Sequence, residues 1–463
     1  MSGALHDLGA AELGGAYASG ELSPVEVTQA VLDHVGRWEP HLQATYLLRP
    51  EVALEQARAS EARWRSDRPL GPLDGVPGTL KENIATRGTP VPVGTAASLL
   101  TPAIDDAPPA ARWREAGAVL LAKTTMPDYG MLSSGLSSFH ALTRNPWNLS
   151  KNPGGSSAGA AAAAAAGYGP LHVGTDIGGS IRLPAGWCGV FGLKPSLGRI
   201  PIKPPYAGRV AGPMTRSVSD AALMMAELSR PDWRDAMSLP YQTIEWTHLQ
   251  RHVKGLRLGL QLDAGWGLAV EPEVRRAVEA AAQAFERAGA VVEPVGPFST
   301  RAMIDGMDRF WRMRSWLDMQ ALPQDRRDKV LPYIRHWVAS GARLSATDVF
   351  TGYSQMAALR DAAVAACQPY DFVLSPVSPV PSYDAQLASP LNDPERPFEH
   401  IAFTLPYNMS EQPAASINCG YTADGLPIGL QIVGRRHDDL GVLRLSRAYE
   451  QLRPAQRPWP SAF

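Results

Sequence analysis

Apolar and polar positions along the chain follow two periods, and each period predicts a different kind of element. The clearest helix covers 271–288, where Val274, Val278, Ala281 and Phe285 fall on one face. Short apolar runs bounded by turn residues predict strands at 118–122, 171–174, 255–260, 290–292, 372–375 and 428–433. The alternation of strands and helices predicts a layered α/β fold.

Three further segments have helical patterns. Ser23 and Glu26 around Pro24 form a helix-start signal, and helical periodicity continues from there to about residue 65. A capped helix is expected at 217–228. The stretch 299–339 is mostly helical in pattern and rich in Trp and Arg. It is predicted to cover the core, with the alternative that it forms a wall of the substrate pocket.

Changes in composition indicate how the chain is organised. We predict a single domain over 1–463 without internal repeats. Its expected segments are an N-terminal helical segment (1–65), a Gly-rich catalytic core (66–230), a variable helical or cap segment (231–370) and a C-terminal return to the core (371–463).

Composition and charge exclude several functions. Hydrophobic residues make up 45% of the 463 residues, enough for a large core. Lys and Arg number 44 against 45 Asp and Glu, so no net field directs the chain to nucleic acid or an anionic membrane. The most apolar tract, 160–166, is far shorter than the roughly 20 residues that cross a bilayer.

Cysteine usage points to a reducing compartment. Cys188, Cys367 and Cys419 show no paired spacing, so we expect small buried thiols without a disulfide framework. No metal site and no cofactor are expected. Residues 1–18 lack a secretory pattern, and the chain is predicted to be cytoplasmic.

Two serines lie in glycine-rich motifs, GGSSAG at 154–159 and TDIGGSIR at 175–182. Glycine lets a substrate carbonyl approach the backbone closely, and successive N–H groups can stabilise the oxyanion of a tetrahedral intermediate. The N–H groups expected to do so belong to Ile177, Gly178, Gly179 and Ser180.

A serine nucleophile needs a group that accepts its proton. His172 lies in an apolar, strand-like run and is predicted to be a core histidine, whereas His140 remains open as a pocket residue. Lys81 is the other candidate, because burial would lower its pKa and leave the amine neutral.

Three segments, in this order, resemble the amidase-signature family: Lys81-Glu82-Asn83-Ile84, Gly154-Gly155-Ser156-Ser157 and Asp176-Ile177-Gly178-Gly179-Ser180-Ile181-Arg182. The interval of 24 residues from Ser156 to Ser180 (180 − 156) is also similar to the family's spacing. The resemblance covers about 65–230 and 400–435. It implies a three-layer α/β/α fold, with a large mixed central sheet covered by helices on both faces.

The resemblance also implies roles. Ser180 would be the acylated nucleophile, Ser156 a bridging serine after a cis peptide bond, and Lys81 the terminal base. Asp176 and Arg182, together with Thr175 and the hydroxyl of Ser157, would support the loops. Gly130 and Met131 fall where the family lines the acyl pocket, and Tyr129, Phe139, Tyr206 and Arg209 are further pocket candidates.

We therefore predict an amidohydrolase that cleaves small aryl or alkyl amides, with carbamate (urethane) cleavage as an extension. One alternative is the glutaminase-type subunit of a tRNA amidotransferase. Another is an α/β-hydrolase with Ser157 as nucleophile, because GSSAG fits G-x-S-x-G. A non-enzymatic anion-binding module is the least favoured. The sequence leaves open whether the active form is a homodimer.

Overall fold

A single mixed sheet runs through the computed structural model, which describes residues 4–462. Within these residues its strands are β1 (Thr45–Tyr46), β2 (Pro77–Lys81), β3 (Val119–Thr124), β4 (Leu171–Asp176), β5 (Phe191–Lys194), β6 (Val210–Thr215), β7 (Arg257–Leu260), β8 (Val291–Pro294), β9 (Phe372–Pro376), β10 (Ala414–Tyr421) and β11 (Pro427–Val433). Their order is β1-β3-β2-β4-β6-β5-β10-β11-β9-β7-β8. All four predicted segments contribute strands to this sheet.

Helices surround the sheet. Within the described residues they are α1 (Ala10–Ser19), α2 (Pro24–Leu42), α3 (Pro50–Arg65), α4 (Pro108–Glu115), α5 (Ala158–Ala166), α6 (Arg182–Cys188), α7 (Val218–Leu228), α8 (Pro272–Arg287), α9 (Arg301–Gln320), α10 (Gln324–Arg327), α11 (Pro332–Ala339), α12 (Ala346–Cys367), α13 (Leu405–Met409) and α14 (Asp439–Leu452). None of the described helices is long and apolar enough to cross a membrane.

Strand β10 shows that both faces of the sheet are covered. Ala415 and Ile417 belong to the same apolar core as residues of α8 and α14. Between them Ser416 points the other way, towards Gly186 of α6. The predicted α/β architecture with a large mixed sheet and helices on both faces is therefore confirmed.

The six predicted strands are all present, with boundaries shifted by one or two residues. The segment predicted to be helical up to about residue 65 is helical with one break, because α2 ends at Leu42 and α3 begins at Pro50. Between them Gln43 takes a left-handed backbone conformation, and Thr45 and Tyr46 pair with β3 as the edge strand. This short edge strand has no alternating pattern from which to recognise it.

The three cysteines are buried and free, as predicted. The stretch 299–339 is largely helical, in α9, α10 and α11. It contributes Trp311 and Trp337 to an apolar cluster that is separate from the main core, and so covers that part of the molecule.

Candidate active site

The sheet itself brings the predicted catalytic segments together. β2 and β4 are parallel neighbours, so their carboxyl ends lie at the same edge of the sheet. Lys81 is the last residue of β2, and the segment 177–181 follows β4 directly. Ser156 and Ser157 precede α5, which consists of alanines and one glycine and is completely buried. Small side chains let this helix pack closely on the sheet, which holds its first turn beside Lys81.

Lys81 lies at the centre of this arrangement. Its side chain is 0% exposed, and its Nζ is 2.7 Å from Ser156 Oγ and 3.1 Å from Ser157 Oγ. Burial lowers the pKa of Lys81 well below its ordinary value, and the nearby Arg209 charge lowers it further. Asp176 and Glu82 oppose these effects in part. Burial therefore favours the neutral amine, which has a lone pair to accept a proton.

Ser157 is held by three hydrogen bonds. Its hydroxyl donates to Thr175 O (3.1 Å), and it accepts from Thr175 N (3.2 Å) and from Lys81 Nζ (3.1 Å). The side chain is 0% exposed. A hydroxyl that is buried and fully bonded cannot approach a substrate carbonyl, and no strand of the described chain runs directly into it. The geometry therefore speaks against the α/β-hydrolase alternative.

The loops that carry Ser156 and Ser180 are neighbours. The peptide bond between Gly155 and Ser156 is cis, as the resemblance implies. The Ser157 N–H donates to Ser180 O at 3.1 Å, which ties the two serine loops together. The Ser180 side chain is half-buried and lines a cavity, and its hydroxyl has no hydrogen-bond partner among the described residues.

Asp176 organises the loop that carries Ser180. Its carboxylate accepts from Gly179 N (2.8 Å) and Ile181 N (3.1 Å) and forms a buried ion pair with Arg182 (3.0 Å). These interactions hold the pKa of Asp176 far below its usual range, although burial alone would raise it. Gly179 has φ +134°, and a side chain there would collide with Thr404 Oγ1 at 2.5 Å. Only glycine fits at this position.

The same loop presents backbone donors to the cavity. The N–H groups of Ile177, Gly178 and Ser180 have no partner among the described residues. The Gly179 N–H is already engaged by Asp176. Three of the four N–H groups predicted to stabilise an oxyanion are thus available, and the fourth shapes the loop.

Comparison with known proteins agrees with this geometry. The sequence profile of the family described as Amidase matches residues 26–443. The chain belongs to the amidase-signature family. It is 35% identical to a glutamyl-tRNA(Gln) amidotransferase subunit of Myxococcus xanthus, over 96% of this chain and 97% of that protein. It is 32% identical to an acylamidase of Rhodococcus erythropolis, over 97% and 96% respectively.

Solved structures give the same result. A bacterial aryl acylamidase of the amidase-signature family superimposes with a TM-score of 0.90 at 31% identity, with 97% of each chain covered. A 6-aminohexanoate cyclic dimer hydrolase gives a TM-score of 0.89 at 26% identity, covering 98% of this chain and 99% of that chain. The chain is therefore an amidase-family enzyme that acts on carbon–nitrogen bonds.

The cavity beside Ser180 has a volume of about 80 Å³. Gly130 and Met131 line it, as do Ile177 and Gly178. Other parts of its wall come from distant segments: Trp311, Arg314, Ser315, Tyr333, Trp337, Ala388, Ser389, Pro397, Phe398, His400 and Ile401. Trp311 thus belongs both to the cover over the core and to the wall of the cavity beside Ser180. A larger cavity, of about 260 Å³, lies between α3, α4 and β3 and contains none of the three proposed catalytic groups.

His140 and His172, the two histidines considered as proton acceptors, lie away from the two serines. His172 is buried, with ring nitrogens 2.8 Å from Thr79 Oγ1 and 2.9 Å from Gly169 O, which confirms a satisfied core histidine. His140 lies 3.0 Å from the buried Glu82 carboxylate and does not line the cavity beside Ser180. Neither ring contacts Ser156 or Ser180.

The sequence did not reveal some of the residues that hydrogen-bond to the Ser180 loop of this amidase, nor some of those that line the cavity. Asn408 donates to Asp176 (2.8 Å), and Thr404 Oγ1 donates to Gly178 O (2.7 Å). Arg182 donates to Gln431 Oε1 at 2.8 Å. Phe398 and His400 of the wall also had no assigned role. These residues lie more than 200 positions after the motif that they support, and no local pattern marks them.

Proposed function

We propose that this amidase hydrolyses small aryl or alkyl amides through an acyl-enzyme on Ser180, with Ser156 and Lys81 as the proton relay. The observation that carries the proposal is the contact of 2.7 Å between the buried Lys81 Nζ and Ser156 Oγ. A neutral amine in this place can accept a proton that a surface lysine could not.

The proposed reaction has two halves. As Ser180 Oγ attacks the substrate carbonyl carbon, its proton moves to Ser156 Oγ, while the Ser156 proton moves to Lys81 Nζ. The N–H groups of Ile177, Gly178 and Ser180 stabilise the negative oxygen that develops. The carbon–nitrogen bond then breaks, and the relay returns the proton to the leaving amine.

Deacylation uses the same groups. Water attacks the Ser180 ester and gives its proton to Lys81 through Ser156. Return of that proton to Ser180 Oγ releases the carboxylic acid and restores the enzyme. A carbamate would react in the same way. Cleavage of its carbon–nitrogen bond releases the amine and leaves a carbonate ester on Ser180, which water hydrolyses to an alkyl carbonic acid that breaks down to carbon dioxide and the alcohol. Urethane cleavage is therefore part of the proposal.

The shape of the cavity supports small substrates with an apolar or aromatic group. Trp311, Trp337 and Phe398 stack edge to face around it, with ring centroids 5.3 and 5.5 Å apart. A panel of p-nitroanilides, aryl carbamates, glutamine and malonamide tests this preference. Turnover of glutamine alone would contradict it.

The second candidate is the glutaminase subunit of a tRNA amidotransferase, because several of the similar proteins bear the amidotransferase name. Glutamine carries an α-ammonium group, and none of the described residues that line the cavity is an Asp or Glu. The lining thus offers no partner for the ammonium group of glutamine, which favours amides without an ammonium group. Glutaminase activity that arises only with a partner chain would favour the second candidate.

An active-site fluorophosphonate followed by peptide mass spectrometry tests the nucleophile. The expected result is a mass shift on the peptide that contains Ser180, which Ser180→Ala abolishes. Ser157→Ala is the matched control and should still be labelled. Labelling of Ser157, or no labelling of a folded and active enzyme, would contradict the proposal.

A further inference from the structure

Several polar groups in the wall of the catalytic cavity lack partners. Trp311 Nε1, Arg314 Nε and His400 Nε2 are buried and have no hydrogen-bond partner among the described residues. All three residues line the cavity beside Ser180. Buried polar groups in folded proteins are nearly always paired, so unpaired groups that share one cavity mark a place where a ligand atom or a water molecule would be bound.

These groups lie close to the reacting loop. Trp311 and Arg314 are three residues apart on α9 and therefore share a face. A Cβ placed on Gly178 would be 3.7 Å from Trp311 Cη2, so the indole ring lies against the loop of Ser180. The Arg314 guanidinium lies 4.9 Å from the ring centre of Tyr206, whose hydroxyl is also buried without a partner.

The charge on this wall is not balanced. No described carboxylate lies within ion-pair distance of Arg314, and none lines the cavity. The neighbouring Arg312 on the same helix differs, because it donates to Asp308 Oδ2 at 2.7 Å and to Trp337 O at 3.0 Å. Arg314 is thus a cation without a counterion, beside the site of reaction.

The polar groups without a partner are mainly hydrogen-bond donors. An indole N–H and a guanidinium only donate, and a phenol can donate. Burial lowers the pKa of His400 to about 3, so its ring is neutral at physiological pH and adds a hydrogen bond rather than a charge. A ligand group that satisfies this set must be rich in acceptors and negatively charged.

We propose that Arg314 and Trp311 bind a carboxylate of the substrate, with Tyr206 stacked on the guanidinium and holding it in place, so that the preferred substrates are small amides that carry a carboxylate away from the scissile bond. The planar guanidinium fork of Arg314 matches the two oxygens of such a group. This inference rests on the proposed amidase function and adds a substrate class to it.

Two matched substrate pairs test the proposal. Glutaryl-p-nitroanilide and its methyl ester differ in an acyl-side carboxylate, and 4-acetamidobenzoate and its methyl ester differ in one on the amine side. Release of the amine is measured for each. We expect kcat/KM to be at least about tenfold higher for the carboxylate in one pair, and the advantage to shrink with added salt.

Variants then test which residues cause the preference for a carboxylate over its methyl ester. Arg314→Met should lower the carboxylate-to-ester ratio of kcat/KM by about tenfold or more, and Arg314→Lys by less. Trp311→Phe keeps an aromatic ring but lacks the N–H, and should lower the ratio moderately. Arg309→Met is the matched control, since Arg309 is on the same helix but does not line the cavity, and should keep the ratio of the wild type.

The carboxylate-to-ester ratio of kcat/KM tests the carboxylate site independently of the proposed amidase function. Wild-type ratios near one in both pairs, or an unchanged ratio in Arg314→Met, would overturn the carboxylate site. The proposed amidase function would still stand if the amide bonds of the methyl ester substrates were hydrolysed. Should Arg314→Met not fold, the wild-type ratio and Arg314→Lys decide. If no amide were hydrolysed and Ser180 were not labelled, the proposed function itself would be wrong.

Discussion

Lys81 Nζ lies 2.7 Å from Ser156 Oγ in an environment from which water is excluded. The two residues are 75 positions apart in the sequence, and the packing of α5 on β2 brings them together. An ammonium ion buried here would lose its hydration without gaining a carboxylate in contact. Burial therefore favours the neutral amine, which is the form that the proposed chemistry requires.

The first prediction concerns pH. Because burial lowers the pKa of Lys81, and the amine must be neutral to accept a proton, log kcat/KM should rise with pH up to that lowered pKa and then level off. The measurement is a profile of kcat/KM between about pH 5 and pH 10 with an uncharged amide. Lys81→Met should lower kcat/KM by about 10²–10⁴-fold and abolish the inflection.

A control is needed because burial also lowers the pKa of other lysines, among them Lys123 and Lys194. Burial lowers the pKa of Lys123 to about 7, but its Nζ donates to Thr86 Oγ1 at 2.7 Å and contacts neither serine. Lys123→Met should keep the inflection, even if the variant is less stable. An inflection that is kept in Lys81→Met and lost in Lys123→Met would rule out Lys81 as the base.

The second prediction separates three neighbouring serines. Ser180→Ala should reduce kcat by at least about 10³-fold, since the group that forms the covalent bond is gone. Ser156→Ala should reduce kcat strongly as well, because the relay to Lys81 is interrupted. Ser157→Ala removes a buried hydroxyl that binds Thr175, so the expected loss is about 1–3 kcal/mol of stability, with much of the activity retained.

Both steady-state kinetics and urea denaturation are measured for each serine variant. Full activity in Ser180→Ala would contradict the assignment of the nucleophile. A Ser157→Ala variant that is as stable as the wild type but inactive would restore the α/β-hydrolase interpretation.

Local motifs explain why the sequence predicted the centre of the site. Asp176 and Arg182 lie six residues apart in one motif, and the loop between them folds around the Asp176 carboxylate through short-range hydrogen bonds. Such local geometry depends on residue type and spacing, which the sequence displays. The same is true of the main strands, whose apolar runs predicted their positions to within one or two residues.

The cavity wall could not be predicted in this way. Trp311, Tyr333 and His400 come from three separate elements, and only the tertiary packing of the cover on the sheet places them around Ser180. Their spacing along the chain matches no period of a helix or strand. The Trp-rich pattern of 299–339 was therefore compatible with both a cover and a wall, and the structure uses Trp311 for both.

The third prediction concerns the cysteines. Cys188, Cys367 and Cys419 are buried, and burial raises the pKa of each thiol, that of Cys367 to about 11. Thiolates are the reactive form, so a thiol-specific chromogenic disulfide reagent should modify almost none of them in the native enzyme. In denaturant all three should react. A rapidly reacting thiol in the native enzyme would show that one of these sites is accessible.

The fourth prediction concerns the ion pair beneath the nucleophile loop. Arg182 and Asp176 are both fully buried, with Arg182 Nη2 3.0 Å from Asp176 Oδ1. Arg182→Met leaves a buried carboxylate without its cation, and should cost about 3–5 kcal/mol of unfolding free energy. It should also lower kcat, because Asp176 fixes the loop of Ser180. Arg182→Lys should be intermediate, since an ammonium cannot replace the guanidinium fork.

Arg257 provides the matched control for this pair. It bonds Glu293 at 2.9 Å at the surface, where the two side chains are 53% and 39% exposed. Because water screens exposed pairs, Arg257→Met should change the unfolding free energy by less than about 1 kcal/mol and leave kcat unchanged. Urea unfolding followed by fluorescence gives the free energies. Equal losses of unfolding free energy in Arg182→Met and Arg257→Met would contradict the prediction. They would mean that the buried ion pair stabilises the protein no more than the surface pair does.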